Sequence, residues 1–294
     1  MKTLILWISL IAVSLFPALA QAPAAAPTTG LLFEISGKGL DKPSYIFGTF
    51  HVICEQDMLP LDKLRSLINS EDQMIMEIDM DDPAELRAML GGSQISNGKT
   101  LSDYLTPEKY RKVDEVFRKY RGVSVDTVKT MKPSLIGIQI ETSPKAIGCE
   151  KPSGYDLMLL QTAMAGHKPI IGLETVAFQS QVLESKPIDR QAEDLYKSVL
   201  DPDKYINELK TLMSIYKEQD IDKIAAYTTK QMKDDQEIAS KLIDDRNRSW
   251  IPKIESAVTC KPTFIAVGAG HLGGKNGVIA LLREKGFTLR PIRL

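Results

Sequence analysis

The chain has 294 residues, with 37 Lys and Arg against 38 Asp and Glu and a formal net charge of −1 at pH 7. Hydrophobic residues make up 43% and charged residues 26%. That balance fits a folded globular protein and excludes a disordered chain, a collagen-like repeat and a disulfide-dense miniature scaffold. No Lys/Arg-rich run or basic stripe interleaved with aromatics occurs, so nucleic acid is not an expected partner.

The N-terminus reads as a secretory signal. Lys2 precedes the apolar run Leu4 to Phe16, and Ala18-Leu19-Ala20 matches a small-x-small cleavage site. Residues 1–20 are therefore read as a signal peptide cleaved after Ala20, 21–30 as a flexible Ala/Pro/Thr-rich leader, and 31–294 as the folded part. The expected location is periplasmic or secreted. No stable membrane insertion is expected after signal removal, because a span needs about 20 apolar residues.

Leu31–Ile35 and Ser44–Gly48 flank a Gly/Asp/Lys/Pro turn and predict a β-hairpin. Apolar residues at helical spacing after Pro60 predict a helix to Ile68, and Gln73–Ile78 a buried strand ending among acids. Thr106-Pro107 opens a helix that Gly122 stops, and Ser153 is read as the cap of a helix running to Ala165. Lys168–Glu174 and Thr263–Val267 read as further buried strands, Asn276–Lys285 as a last helix and Phe287–Ile292 as a last strand. The layout is α/β: a mixed central sheet flanked by helices, with helical insertions at about 84–165 and 187–256 forming a cap.

Only three histidines occur. Two of them, His51 in Gly48-Thr49-Phe50-His51 and His271 in Gly268-Ala269-Gly270-His271, follow Gly-x-x at the end of a predicted strand. Ligands gather at such strand ends, and neutral imidazole is a common metal ligand. Glu77 and Glu174 end two other strands and offer carboxylates to the same edge. Arg246 and Asn247, in LIDDRNRSW, are read either as a solvated helix face or as groups that hold a substrate carboxylate or Glu77. His167 reads as surface.

The run Gly268-Ala269-Gly270-His271-Leu272-Gly273 also has the form GxGxxG. The strand after it carries no acid for a ribose hydroxyl, so a dinucleotide site is disfavoured. Cys54, Cys149 and Cys260 leave an odd thiol. Cys54 and Cys149 lie in polar loop contexts and are the expected pair if a disulfide forms; three separate thiols are the alternative.

The segments YIFGTFHV, MIMEID, SGYDLMLLQTA with IIGLETVAFQ, DDRNRSW and FIAVGAGHLGGKNGVIALLREKGFTLRPI resemble, in order and spacing, the TraB/GumN family. That family is related to the Tiki metalloproteases and more distantly to erythromycin esterase-like and ChaN-like proteins. The resemblance implies a divalent-metal site (Zn, Co or Mn) on His51, Glu77 and His271, supported by Glu174, Arg246 and Asn247. The expectation is a metal-dependent hydrolase, most simply a peptidase, acting on a peptide or small molecule. Glu77 is either a ligand or the general base, Glu174 is the second candidate for base, and Arg246 stabilises an oxyanion or orients substrate. The alternative is a non-enzymatic module that binds a peptide or pheromone.

Overall fold

The computed structural model describes residues 29–96, 98–183, 186–232 and 239–294. The expected signal peptide and all but the last two residues of the leader lie outside the described residues. The strands are β1 (Leu32–Ser36), β2 (Ser44–Thr49), β3 (Ile53–Cys54), β4 (Gln73–Ile78), β5 (Pro152–Ser153), β6 (Ile170–Glu174), β7 (Thr263–Gly268) and β8 (Thr288–Ile292). The helices are α1 (Leu61–Ser70), α2 (Pro83–Gly92), α3 (Pro107–Arg121), α4 (Pro133–Glu141), α5 (Pro144–Ile147), α6 (Tyr155–Ala165), α7 (Val176–Leu183), α8 (Ile188–Leu200), α9 (Pro202–Lys217), α10 (Ile221–Gln231), α11 (Asp245–Cys260) and α12 (Val278–Glu284).

Six strands form a mixed sheet in the order β6-β4-β7-β2-β1-β8. β1 and β2 are the expected hairpin, with Phe33 opposite Ile46. The pairs β2/β7, β7/β4 and β4/β6 are all parallel. Four neighbouring strands thus end at the same edge. β4 reads QMIMEI and is buried at every position except Glu77, which is half-buried. Such a continuous apolar run suits a strand covered on both faces.

The main core joins the sheet to α1, α6, α11 and α12. Phe47, Tyr155, Phe264 and Trp250 are fully buried in it. A second core, built on Val113, Phe117, Ile136 and Leu195, lies among α3, α4 and α8. Local signals explain α3 well: the Thr106 side chain accepts from Lys109 N, Pro107 opens the helix, and Gly122 closes it at φ +78°.

One expectation needs correction. Ser153 does not cap α6. It belongs to the two-residue strand β5, which pairs with β3, and Gly154 takes the cap position without a side-chain bond. Pairing with β3 draws the chain across His51 before the helix can start. Of the two cysteine readings, the structure has the three separate thiols: Cys54, Cys149 and Cys260 are all free. Cys54 lies opposite Pro152 in the β3/β5 ladder, which brings the two loops together without joining them. Among the described residues no helix is long and apolar enough to cross a membrane.

Candidate functional site

β2 and β7 are direct neighbours, with Thr49 in register with Gly268. The two Gly-x-x-His segments therefore leave adjacent parallel strands at one edge. β4 brings Glu77 and β6 brings Glu174 to that same edge. A methyl group built on Gly268 would sit 3.2 Å from Glu77 Oε1, 3.6 Å from His271 Cδ2 and 3.9 Å from His51 Nε2. The three residues expected to act together thus converge on one point, and glycine keeps that point open.

Arg246, at the start of α11, is the hub. A π-helical turn, Ser240–Asp244, precedes it. Its Nε donates to Glu174 at 3.1 Å, Nη2 to Glu174 Oε1 at 2.8 Å and to Glu77 Oε2 at 2.6 Å. Nη1 donates to Leu242 O at 3.0 Å and faces His271 Nε2 at 3.2 Å. Every guanidinium N–H is engaged, and the side chain is only 7% exposed. Planar, forked and permanently charged, arginine can bridge two carboxylates in a way lysine cannot. Glu174 is further held by Trp250 Nε1 at 3.0 Å and Gln179 Nε2 at 3.2 Å. Its carboxylate is therefore committed to positioning Arg246. Direct contact of Arg246 with an oxyanion would require one of these bonds to break.

The two histidines are in opposite states. His271 is buried, and its ring lies 4.5 Å from that of Trp250. Asn247 donates its Nδ2 to the carbonyls of His271 and Asn276, so Asn247 Oδ1 must accept from His271 Nδ1, at 2.7 Å. The Nε2 lone pair then faces Arg246. Burial, with Arg246 and His51 nearby, pushes His271 down to about 4, against the opposing pull of Glu77. His51 instead has a 69% exposed side chain. Its Nδ1 donates to Asp156 Oδ2 at 2.7 Å, while Thr49 Oγ1 holds Asp156 Oδ1 at 2.8 Å. The Asp156 hydrogen bond and charge, with Glu77 behind them, push His51 up to about 9 against burial and Arg246. Burial works to raise Glu77. His271, Arg246, the 2.7 Å hydrogen bond from Gly268 N and His51 outweigh it and hold the carboxyl below its usual range.

The sequence reading assigned no role to Asp156, Trp250 or Gln179. Asp156 lies in the SGYDLMLLQTA segment and Gln179 in IIGLETVAFQ. An acid in the first turn of a helix that follows glycine is the one local cue to Asp156. Gly154 makes the approach possible, since a Cβ there would lie 2.4 Å from His51 O. His167 lies apart from the site and is exposed.

A metal on His51, Glu77 and His271 needs three free donor atoms. Only His51 Nε2 qualifies, and only once deprotonated. Both Glu77 oxygens are engaged, and His271 Nε2 faces a guanidinium. Among the described residues no group of three His, Cys, Asp or Glu side chains is arranged to hold an ion. As placed, these residues do not fit a metal, and Arg246 supplies the positive charge the acids need. In the GxGxxG run, Gly273 packs directly against α10, where a Cβ would lie 2.1 Å from Ile221 O.

Two hollows meet at His51. One, of about 710 Å³, is walled mainly by Met76, Ile78, Met80, Leu157 and Leu160. The other, of about 550 Å³, runs past Arg246 and His271. Both include His51 and Glu77 in their walls.

Fold and site together define an α/β protein with a charged centre at the carboxyl edge of its parallel strands. The chain belongs to the TraB/PrgY/gumN family, which it matches over residues 31–291. No curated protein and no solved structure matches it.

Proposed function

We propose that the protein is a hydrolase that delivers water to an electrophilic carbon, most simply a peptide carbonyl, bound at the junction of the two hollows. One observation carries this reading: the unengaged His51 Nε2, backed by Asp156, stands within 4 Å of the point on which Glu77 and His271 also converge. The dyad fixes the ring tautomer, as an acid–base catalyst requires. In its neutral form, which predominates only above about pH 9, His51 Nε2 takes a proton from the attacking water and returns it to the leaving group, so turnover should rise with pH toward that value. Asp156 stabilises the imidazolium formed between the two transfers. Arg246, whose charge is taken up by Glu77 and Glu174, fixes those two carboxylates at the same wall. Glu77 orders Arg246 and the Gly268 turn around the reacting point. The leader reading places this activity in an exported protein.

The test is a panel of fluorogenic esters and internally quenched peptides, assayed with the purified protein and with metal content measured in parallel. Turnover that falls at least about 100-fold in His51→Ala and Asp156→Ala supports the reading. Stoichiometric metal whose chelation abolishes turnover would replace the acid–base scheme with the metal-dependent one; Arg246 would then have to release Glu77 and His271. Tight peptide binding with no turnover in any buffer would leave a binding module instead.

A further inference from the structure

The two hollows share His51, Val52, Glu77, Thr142 and Gln179, so the cleft continues past the reacting point on both sides. A substrate that ended at His51 would need only one of them. Both walls are rich in apolar side chains, and three that solvent would normally drive inward remain exposed there: Met89 at 37% and Leu157 at 56% in the first lobe, and Ile138 at 51% in the second. Large apolar side chains left exposed together mark a binding surface.

The lobes differ in charge. Arg121, the last residue of α3, lines the first lobe. Its neighbours are paired, Arg118 with Asp114 and Lys119 over the Tyr120 ring, whereas Arg121 has no ion pair among the described residues. Glu141, the last residue of α4, lines the second lobe. It has no hydrogen bond or ion pair among the described residues. Burial raises its pKa, and Glu208 adds a second push. A half-buried carboxylate without a partner calls for a cation. The other charged groups of both lobes (His51, Glu77, Asp156 and Arg246) already neutralise one another.

We infer that the cleft has two recognition subsites, Arg121 for an acidic group and Glu141 for a cationic one, and that its ligand is an extended peptide with apolar residues across the centre and opposite charges on its two flanks. A fatty acyl chain has one charged end and leaves one subsite unmatched; a peptide supplies both signs and the amide between them. The inference rests on the hydrolase reading for cleavage, but not for binding.

The experiment uses internally quenched decapeptides with a common apolar centre, flanked by one acid and one base in either order, by two acids, by two bases, or by neutral residues. Binding is read by fluorescence anisotropy on His51→Ala, and cleavage as kcat/KM on the unmodified protein. The expected result is a preference of about tenfold for one acid/base order over the neutral peptide, in both readouts. Arg121→Glu should reverse the preference at the acidic flank, and Glu141→Lys should reverse it at the cationic flank. Arg121→Gln and Glu141→Gln should each erase the preference at their own flank, which separates recognition from misfolding. Charge-selective binding without cleavage would defeat the hydrolase reading and keep the subsites. Cleavage or binding indifferent to flanking charge, or unchanged in all four variants, would overturn the subsites and keep the hydrolase. Absence of both binding and cleavage would overturn both.

Discussion

Asp156→Asn is the sharpest probe of the centre, because it can be read without knowing the substrate. In the intact protein His51 is pushed up to about 9, first by its hydrogen bond to Asp156. At pH 7.5 the ring is then almost wholly charged. The substitution keeps a hydrogen-bonding side chain beside Nδ1 and removes the charge, so the ring should fall toward its ordinary value of about 6.5. At that value only about a tenth of the rings carry a proton at pH 7.5. The His51 side chain is 69% exposed, so solvent screens part of the coupling, and the expected outcome is a downward shift of the ring in the variant. The assay is an NMR titration of the imidazole nitrogens. Only three histidines occur, so the signals are few, and buried His271 should not titrate above pH 5. Linkage adds a second readout. A histidine raised by folding contributes stability that is complete below about 6.5 and lost as pH rises through about 9. The intact protein should lose stability between pH 6.5 and 9 relative to the variant, and the two curves should run parallel above that window. A His51 ring that titrates alike in both proteins would refute the dyad.

Glu174→Ala removes a carboxylate that is 3% exposed and bonded to Arg246, Trp250 and Gln179; it should cost about 3–5 kcal/mol, a fall of about 6–20 °C in Tm by calorimetry, and a loss below about 1 kcal/mol would count against the hub. Glu71 is buried with Oε2 unpaired, and burial raises its pKa. A raised carboxyl favours folding below its ordinary value of about 4.3 and opposes it once pH passes the raised one, so Glu71→Gln should stabilise by about 1 kcal/mol at pH 7 and by almost nothing near pH 4; equal gains at both would refute the reasoning. Cys54 and Cys149 face a common hollow, and Cys149 contributes, after burial, to pushing Cys54 up to about 12. A small-molecule disulfide should oxidise them as a pair, two thiols giving up two protons and two electrons as the reagent is reduced. Cys260 should stay open to alkylation, and stability should rise by up to about 4 kcal/mol for a loop of this size; three alkylated cysteines after oxidation would exclude the cross-link.

Strand identities and the convergence at one sheet edge were legible because buried parallel strands write themselves as continuous apolar runs, with Glu77, Glu174 and the two Gly-x-x-His segments at their ends. QMIMEI, IIGLE and TFIAVG needed no tertiary information. What the sequence could not convey was occupancy. Arg246 reads equally as a solvated charge or a site residue in LIDDRNRSW; only the placement of α11 under β6 makes it the bridge between Glu77 and Glu174. Asp156 was hidden for the same reason. Its partner is more than a hundred residues away and reaches it through a two-residue strand pair, β3 with β5, too short to leave a periodic signal.

The paired Gly-x-x-His segments are alike in sequence and opposite in charge state, and packing accounts for the difference. After β7 the chain enters a 3₁₀ turn, Ala269–His271, which folds the ring inward against Trp250 and onto Asn247. Next to a guanidinium and out of water, only the neutral ring is stable there. After β2 the chain runs instead into β3, and its ring meets the carboxylate of Asp156 at the surface, where the charged form is favoured. Two imidazoles on neighbouring strands would repel if both were protonated. By burying one beside Arg246 and exposing the other beside Asp156, the fold separates their proton affinities and leaves a single nitrogen, His51 Nε2, free to exchange a proton with whatever occupies the cleft.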